Sequence, residues 1–133
     1  MKAMKNQIIV RIKDIMSKNP VCIDSDKTIM EAAQIMTNSN VSSVVIIKNN
    51  GPIGILRDRD FVEKFILDKY NFSDKVEKIM SSSLIYADPN QTIWDIIDIM
   101  RSRGLNSLPV ISENDSVVGM IKYSDFLKAF TFD

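Results

Sequence analysis

The sequence predicts an α+β fold with an α/β-like crossover, built from two tandem β-α-β-β-α repeats. Three observations carry this prediction: an internal duplication, the same order of strand and helix signals in both copies, and a length of 133 residues. That length suits one compact unit or two very small ones locked together. At an offset of 64 residues, Ile15-Met16-Ser17 falls on Ile79-Met80-Ser81, Asp24 on Asp88, Thr28-Ile29 on Thr92-Ile93 and Ile35-Met36 on Ile99-Met100. Ser43, Ile47 and Asn50 likewise fall on Ser107, Ile111 and Asn114. One extra residue near Asp115 lengthens the offset, after which Gly54, Asp60-Phe61 and Phe65 fall on Gly119, Asp125-Phe126 and Phe130. Ordered matches with one gap mark a tandem duplication. Residues 1–67 form the first repeat with its N-terminal segment, 68–73 a linker, and 74–133 the second repeat.

Each copy opens with a short extended run, Val21-Cys22-Ile23 or Ile85-Tyr86-Ala87. Thr28 with Glu31, and Thr92 with Asp95, then have the spacing of a capping box, Asp being the weaker partner. Ile29, Ala32, Ala33 and Met36 follow at helical spacing, as do Ile93, Ile96, Ile97 and Met100. A second strand is expected at Val44-Val45-Ile46-Ile47 or Leu108-Pro109-Val110-Ile111. A turn at Asn49-Asn50-Gly51 or Glu113-Asn114-Asp115 leads to a third, Ile53-Gly54-Ile55-Leu56 or Val117-Val118-Gly119-Met120-Ile121. A short helix starting near Asp58 or Ser124 closes each copy. The crossover helix makes the first two strands parallel, and the turn makes the last two antiparallel. Three strands and two helices cannot cover both faces of a sheet. Two copies packed through their small sheets with pseudo-twofold symmetry would cover each other.

Composition narrows the function. Lys and Arg total 17, as do Asp and Glu, so the net charge is zero and a uniformly basic nucleic-acid binder is disfavoured. There is no His, which excludes imidazole acid–base chemistry and imidazole metal ligation. The single Cys22 excludes an intrachain disulfide and a Cys-cluster zinc site, and reads as a small packed residue. With no secretory signal, no membrane-length apolar run and a free thiol, the expected location is cytoplasmic. The sequence holds four glycines and no phosphate-cradling glycine loop, so an enzyme is not expected.

Asp14-Ile15-Met16-Ser17 with Pro20-Val21, Lys78-Ile79-Met80-Ser81, Leu108-Pro109-Val110, and the segments Gly54-Ile55-Leu56-Arg57-Asp58-Arg59-Asp60 and Gly119-Met120-Ile121-Lys122-Tyr123-Ser124-Asp125 together resemble a tandem cystathionine-β-synthase (CBS) domain pair, or Bateman module, here without an attached domain. The resemblance covers nearly the whole chain. It implies a regulatory sensor that binds AMP, ADP, ATP or a related adenosyl compound such as S-adenosylmethionine or NAD in clefts between the copies. The Asp ending each signature would accept hydrogen bonds from the ribose diol, as a two-oxygen carboxylate can. The resemblance further implies crossed sites. One would be Arg57 and Asp60, with Arg59 as a second base, facing Leu84, Ile85, Leu105 and Asn106. The other would be Lys122 and Asp125, with Ser124, facing Pro20, Val21, Val41 and Ser42. Where the family usually has Ser or Thr three residues before the Asp, this chain has Arg57 and Lys122, which could take a phosphate instead. The resemblance also implies a homodimer and a regulated protein partner that the sequence does not name.

Plainer readings stand beside these. Asp60 and Asp125 can also be read as helix caps, Arg57 and Lys122 as solvated charges, and the apolar candidates as core. Trp94, where the first repeat has Met30, reads as a surface or interface residue, and Phe126, Leu127, Phe130 and Phe132 offer contact area. Lys2, Lys5, Arg11 and Lys13 form a mild basic cluster. The alternatives to a sensor are a structural dimerisation module with vestigial sites and a nucleic-acid-binding regulator.

Overall fold

A computed structural model of the chain describes residues 9–130. In chain order the elements are α1 (Ile12–Ile15), β1 (Ser17–Lys18), β2 (Cys22–Asp24), α2 (Ile29–Ser39), β3 (Ser43–Lys48), β4 (Gly51–Arg57), α3 (Asp58–Asp60), α4 (Ile93–Arg103), β5 (Ser107–Ile111) and β6 (Val117–Lys122). Wide π-type turns over Phe61–Ile66 extend α3, and 3-10 turns occupy Val76–Lys78 and Tyr123–Phe130. The fold is α+β with two small sheets, as expected.

The compact units and the sequence repeats are different divisions of the chain. One unit is Val21–Leu84; the other joins the residues up to Pro20 to those from Ile85 onward. Each unit thus consists of one repeat's sheet and helices plus the opening segment of the other repeat.

In the Val21–Leu84 unit the strand order is β2-β3-β4. The β2–β3 pair is parallel, with Cys22 opposite Val45, and β3–β4 is an antiparallel hairpin. Ser81 bridges to Ile55 on the free side of β4. Alternation along β2 turns Ile23 inward and leaves Cys22 exposed, so the packed thiol expected from sequence lies outside the core. The core joins Ile23, Ile29, Ala32, Met36, Val44, Ile46 and Leu56 to Val76 and Ile79 of the later segment.

The second unit repeats this plan with its own exchanged piece. Its sheet order is β1-β6-β5, with Ser17 opposite Met120. The segment before Pro20 is also tied down by backbone bonds from Ile12 N–H to the Gln91 carbonyl (2.9 Å) and Lys13 N–H to the Pro89 carbonyl (3.0 Å). Arg11 donates to the Asn90 carbonyl, so this member of the basic cluster serves docking; Lys2 and Lys5 lie outside the described residues. Ile12 and Ile15 enter the core of Ile93, Ile96, Met100, Leu108, Val110, Ile121 and Phe126.

The expected strand at Ile85-Tyr86-Ala87 shrinks to one parallel bridge, Ala87 to Val110. In the other unit, Val45 N–H donates to the Val21 carbonyl at 3.2 Å. The position equivalent to Val45 is Pro109, which has no N–H to give Ile85. Pairing therefore begins only at Ala87, whose N–H reaches the Pro109 carbonyl at 2.9 Å.

The inserted residue near Asp115 is a change of hairpin loop. Asn49 (φ 53°) and Asn50 (φ 67°) form a two-residue turn closed by the Lys48–Gly51 pair, with both central residues left-handed, as a type I′ turn requires. The other loop is Glu113-Asn114-Asp115, closed by Ser112 N–H to the Ser116 carbonyl (2.9 Å), and only Asp115 (φ 62°) is left-handed.

Both long helices start in the expected capping box. Thr28 Oγ1 accepts the Glu31 N–H at 3.1 Å and Glu31 Oε1 accepts the Thr28 N–H at 3.0 Å. That backbone bond is the main reason the Glu31 carboxyl titrates below its ordinary range. The shorter Asp95 makes longer bonds with Thr92, 3.4 and 3.2 Å. Thr28→Ala is expected to destabilise by about 1 kcal/mol, read as a shift in urea midpoint at unchanged slope. Trp94 is exposed and meets Phe130 edge-on at 6.2 Å; Phe132 lies outside the described residues. Among the described residues, no helix is long and apolar enough to cross a membrane.

Candidate functional site

Each signature begins with a glycine that lets another strand approach. A Cβ on Gly54 would sit 2.6 Å from the Ser81 carbonyl oxygen and 2.7 Å from Met80 Sδ. One on Gly119 would sit 2.8 Å from the Ser17 carbonyl oxygen and 2.5 Å from Met16 Sδ. The repeated Ile-Met-Ser and the signature glycine are therefore two halves of one contact, and in each unit the two halves come from different repeats.

From the glycine the strand runs out to Arg57 or Lys122, where the chain turns into its last helical segment. Asp60 Oδ2 accepts the Arg57 N–H at 2.8 Å, and Asp125 Oδ2 accepts the Lys122 N–H at 2.9 Å. The same carboxylate-to-third-previous-N–H bond recurs at Asp14 with Arg11 (2.9 Å) and at Asp74 with Asn71 (2.8 Å). It is thus a general device of this chain for closing a turn. The other oxygen faces a lysine at Asp74 (Lys78 Nζ, 3.3 Å) and at both signatures, and at the signatures that lysine also donates to a backbone carbonyl, Met80 or Ile15. Asp60 Oδ1 faces Lys64 Nζ at 3.4 Å, and Asp125 Oδ1 faces Lys128 Nζ at 3.0 Å. The two lysines were not among the sequence candidates, although their i,i+4 and i,i+3 spacing was a usable signal. The side chain of Asp60 is 13% exposed and that of Asp125 5%.

The remaining candidates divide by unit. Asp58 N–H donates to the Ser42 carbonyl at 2.9 Å, so the entry to β3 lies against the signature of its own copy. Tyr123 N–H donates to the Asn106 carbonyl at 3.1 Å in the same manner. Val21 and Val41 pack on the core of the Val21–Leu84 unit, which also contains Leu84. Ile85 and Leu105 pack on the core of the other unit, which also contains Pro20. The hydrogen bonds therefore join Ser42 to the Asp60 signature and Asn106 to the Asp125 signature, whereas the crossed grouping draws its residues from both units. Arg57 is half-buried; burial pulls its guanidinium pKa down while Asp60 and Asp58 pull it up. Arg59 is exposed and already paired with Glu63. Lys122 and Ser124 are exposed.

The family model for the CBS domain matches residues 12–66 and 76–131. The chain belongs to the CBS domain family. Among curated CBS relatives, the CBS domain-containing protein YhcV of Bacillus subtilis is 26% identical over 114 residues, covering 86% of this chain and 81% of YhcV. Other relatives are longer: the chain spans 44% of the uncharacterized protein MJ0188 and 25% of the L-aspartate semialdehyde sulfurtransferase, both of Methanocaldococcus jannaschii. Among solved CBS structures, the domain pair of protein MJ0100 in complex with 5′-methylthioadenosine and S-adenosyl-L-methionine has a TM-score of 0.82 at 26% identity, covering 92% of this chain and 97% of that one. CBSX2 in complex with AMP has a TM-score of 0.77 at 17% identity, covering 90% and 95%.

Proposed function

We propose that this CBS pair is a regulatory module that binds an adenosyl ligand at its signature carboxylates, with AMP, ADP and ATP placed ahead of S-adenosylmethionine and NAD. The observation that carries the reading is the repeated carboxylate. In each unit one oxygen is fixed by a backbone N–H at 2.8–2.9 Å, which holds the other on a defined edge where a vicinal diol can donate to it. The bound adenosyl compounds of the MJ0100 pair support the ligand class. We group each site by unit: Asp60 with Arg57, Val21, Val41 and Ser42, and Asp125 with Lys122, Ser124, Ile85, Leu105 and Asn106. Arg57 and Lys122 stand where the phosphates would be met, Arg as a fork and Lys as a point charge.

A panel of AMP, ADP, ATP, S-adenosylmethionine and NAD tests this by calorimetry and thermal shift. The expected result is binding that Asp60→Ala weakens at least tenfold, with the more exposed Asp60 site filling first. A ligand present at a hundredfold over its Kd adds about 2.7 kcal/mol of stability. No shift with any of the five, or unchanged affinity in both Asp60→Ala and Asp125→Ala, removes the reading.

A structural module is the second reading. The observation favouring it is that Lys64 and Lys128 already neutralise both carboxylates without a ligand. The same panel separates the two. In either case we assign the exposed Val62, Ile66, Leu67 and Phe72, with Trp94 and Leu127, to a homodimer contact, read by sedimentation, and the module to the cytoplasm.

A further inference from the structure

We propose that Lys64 and Lys128 are positioning residues that tie each signature carboxylate to the segment supplied by the exchange, so that drawing the carboxylate oxygen away loosens that segment. Lys64 Nζ faces Asp60 Oδ1 at 3.4 Å and donates to the Met80 carbonyl at 3.3 Å. Lys128 Nζ faces Asp125 Oδ1 at 3.0 Å and donates to the Ile15 carbonyl at 3.1 Å. Each set lies within one unit. The segment gripped by the lysine is the one that lies on the signature glycine: Met80 and Ser81 on Gly54, and Met16 and Ser17, next to Ile15, on Gly119. Carboxylate, lysine, segment and glycine form a closed circuit in each unit.

Duplication alone does not account for this. Lys64 is four residues past its Asp and Lys128 three, and Ile15 aligns with Ile79, not with Met80. The two units reach the same pair of bonds from non-equivalent positions. An ammonium has three donors and can hold both acceptors at once only while the carboxylate stays in place. A hydroxyl donated to Oδ1 competes with the ammonium for that oxygen. Naming an adenosyl diol as the source of that hydroxyl rests on the function proposed above; the tie itself does not.

Hydrogen exchange on the full chain tests the tie without a ligand. Asp60→Asn removes the charge and keeps an acceptor for the Arg57 N–H. The reporter is the Ser81 amide, which donates to the Ile55 carbonyl at 2.8 Å; the control in the same unit is Val45, which donates to the Val21 carbonyl at 3.2 Å. Asp60→Asn and Lys64→Gln are each expected to speed Ser81 exchange about fivefold, the worth of one net hydrogen bond, and the double variant no more than either. Unchanged Ser81 exchange in Asp60→Asn, or full additivity in the double variant, overturns the proposal. So does an equal change at Val45, which would mean general weakening. Asp125→Asn and Lys128→Gln, read at the amide of Ser17, which pairs with Met120, repeat the test if the first pair fails to fold. With AMP as probe, Ser81 exchange is expected to rise in the unmutated chain and not in Lys64→Gln. Failure of AMP to bind overturns only AMP's place in the ligand reading, since the Asp60→Asn result decides the tie.

Discussion

Ile12→Ala is expected to destabilise the sheet of the second repeat by about 2–5 kcal/mol, although Ile12 stands in the first. Ile12 is fully buried, and its neighbours in the core include Ile93, Ile96, Leu108 and Ile121. Truncating it removes three packed carbons and leaves a cavity that a β-sheet held by short loops cannot close. The measurement is urea denaturation combined with hydrogen exchange. The Ile111 amide, which donates to the Ala87 carbonyl at 2.9 Å, reports the affected unit, and the Val45 amide reports the other. Faster exchange at Ile111 with a smaller change at Val45 is expected. The reverse order would mean that the first repeat folds on its own opening segment. Ile79→Ala, fully buried in the core of Ile29, Val44 and Leu56, is expected to give the mirror result.

Gly54→Ala and Gly119→Ala are each expected to lower stability by about 1–3 kcal/mol, the usual worth of overpacking. Neither glycine has a positive φ, so the cost is one of space. A methionine thioether can swing away from a new methyl, but the Ser81 and Ser17 carbonyl oxygens at 2.6 and 2.8 Å are backbone groups bound into pairing. Relief therefore requires the exchanged segment to move off the strand. The expected signature is a lower urea midpoint together with faster exchange of the Ser81 or Ser17 amide. A variant as stable as the parent would show that the segment has room to shift at no cost.

Much of the local structure was legible because its causes are local. The capping boxes at Thr28 and Thr92 and the helical spacing of Ile29, Ala32 and Met36 depend on residues within one or two turns of each other. The parallel strand pair and the hairpin followed from the length of the connections between apolar runs. The inserted residue near Asp115 was visible as a gap and proved to be a longer hairpin loop. Pro109 was on the page as a strand residue, yet its effect appeared only when Ile85 was found to lack the N–H that Val45 supplies to Val21. A missing donor matters only where a partner carbonyl arrives, and that is a property of two distant segments.

By itself the sequence determined the α+β class, the duplication, the element order and the two signature carboxylates, since each is written in residue type and spacing. The tertiary structure decided which repeat each opening segment completes, that Gly54 and Gly119 are points of close approach, and that Lys64 and Lys128 occupy the second oxygen of Asp60 and Asp125. The physical reason is symmetry. Two nearly equal copies offer nearly equal docking places to Ile15-Met16-Ser17 and Ile79-Met80-Ser81, so spacing cannot choose between them. Chain connectivity and packing around Ile12 and Ile79 make the choice.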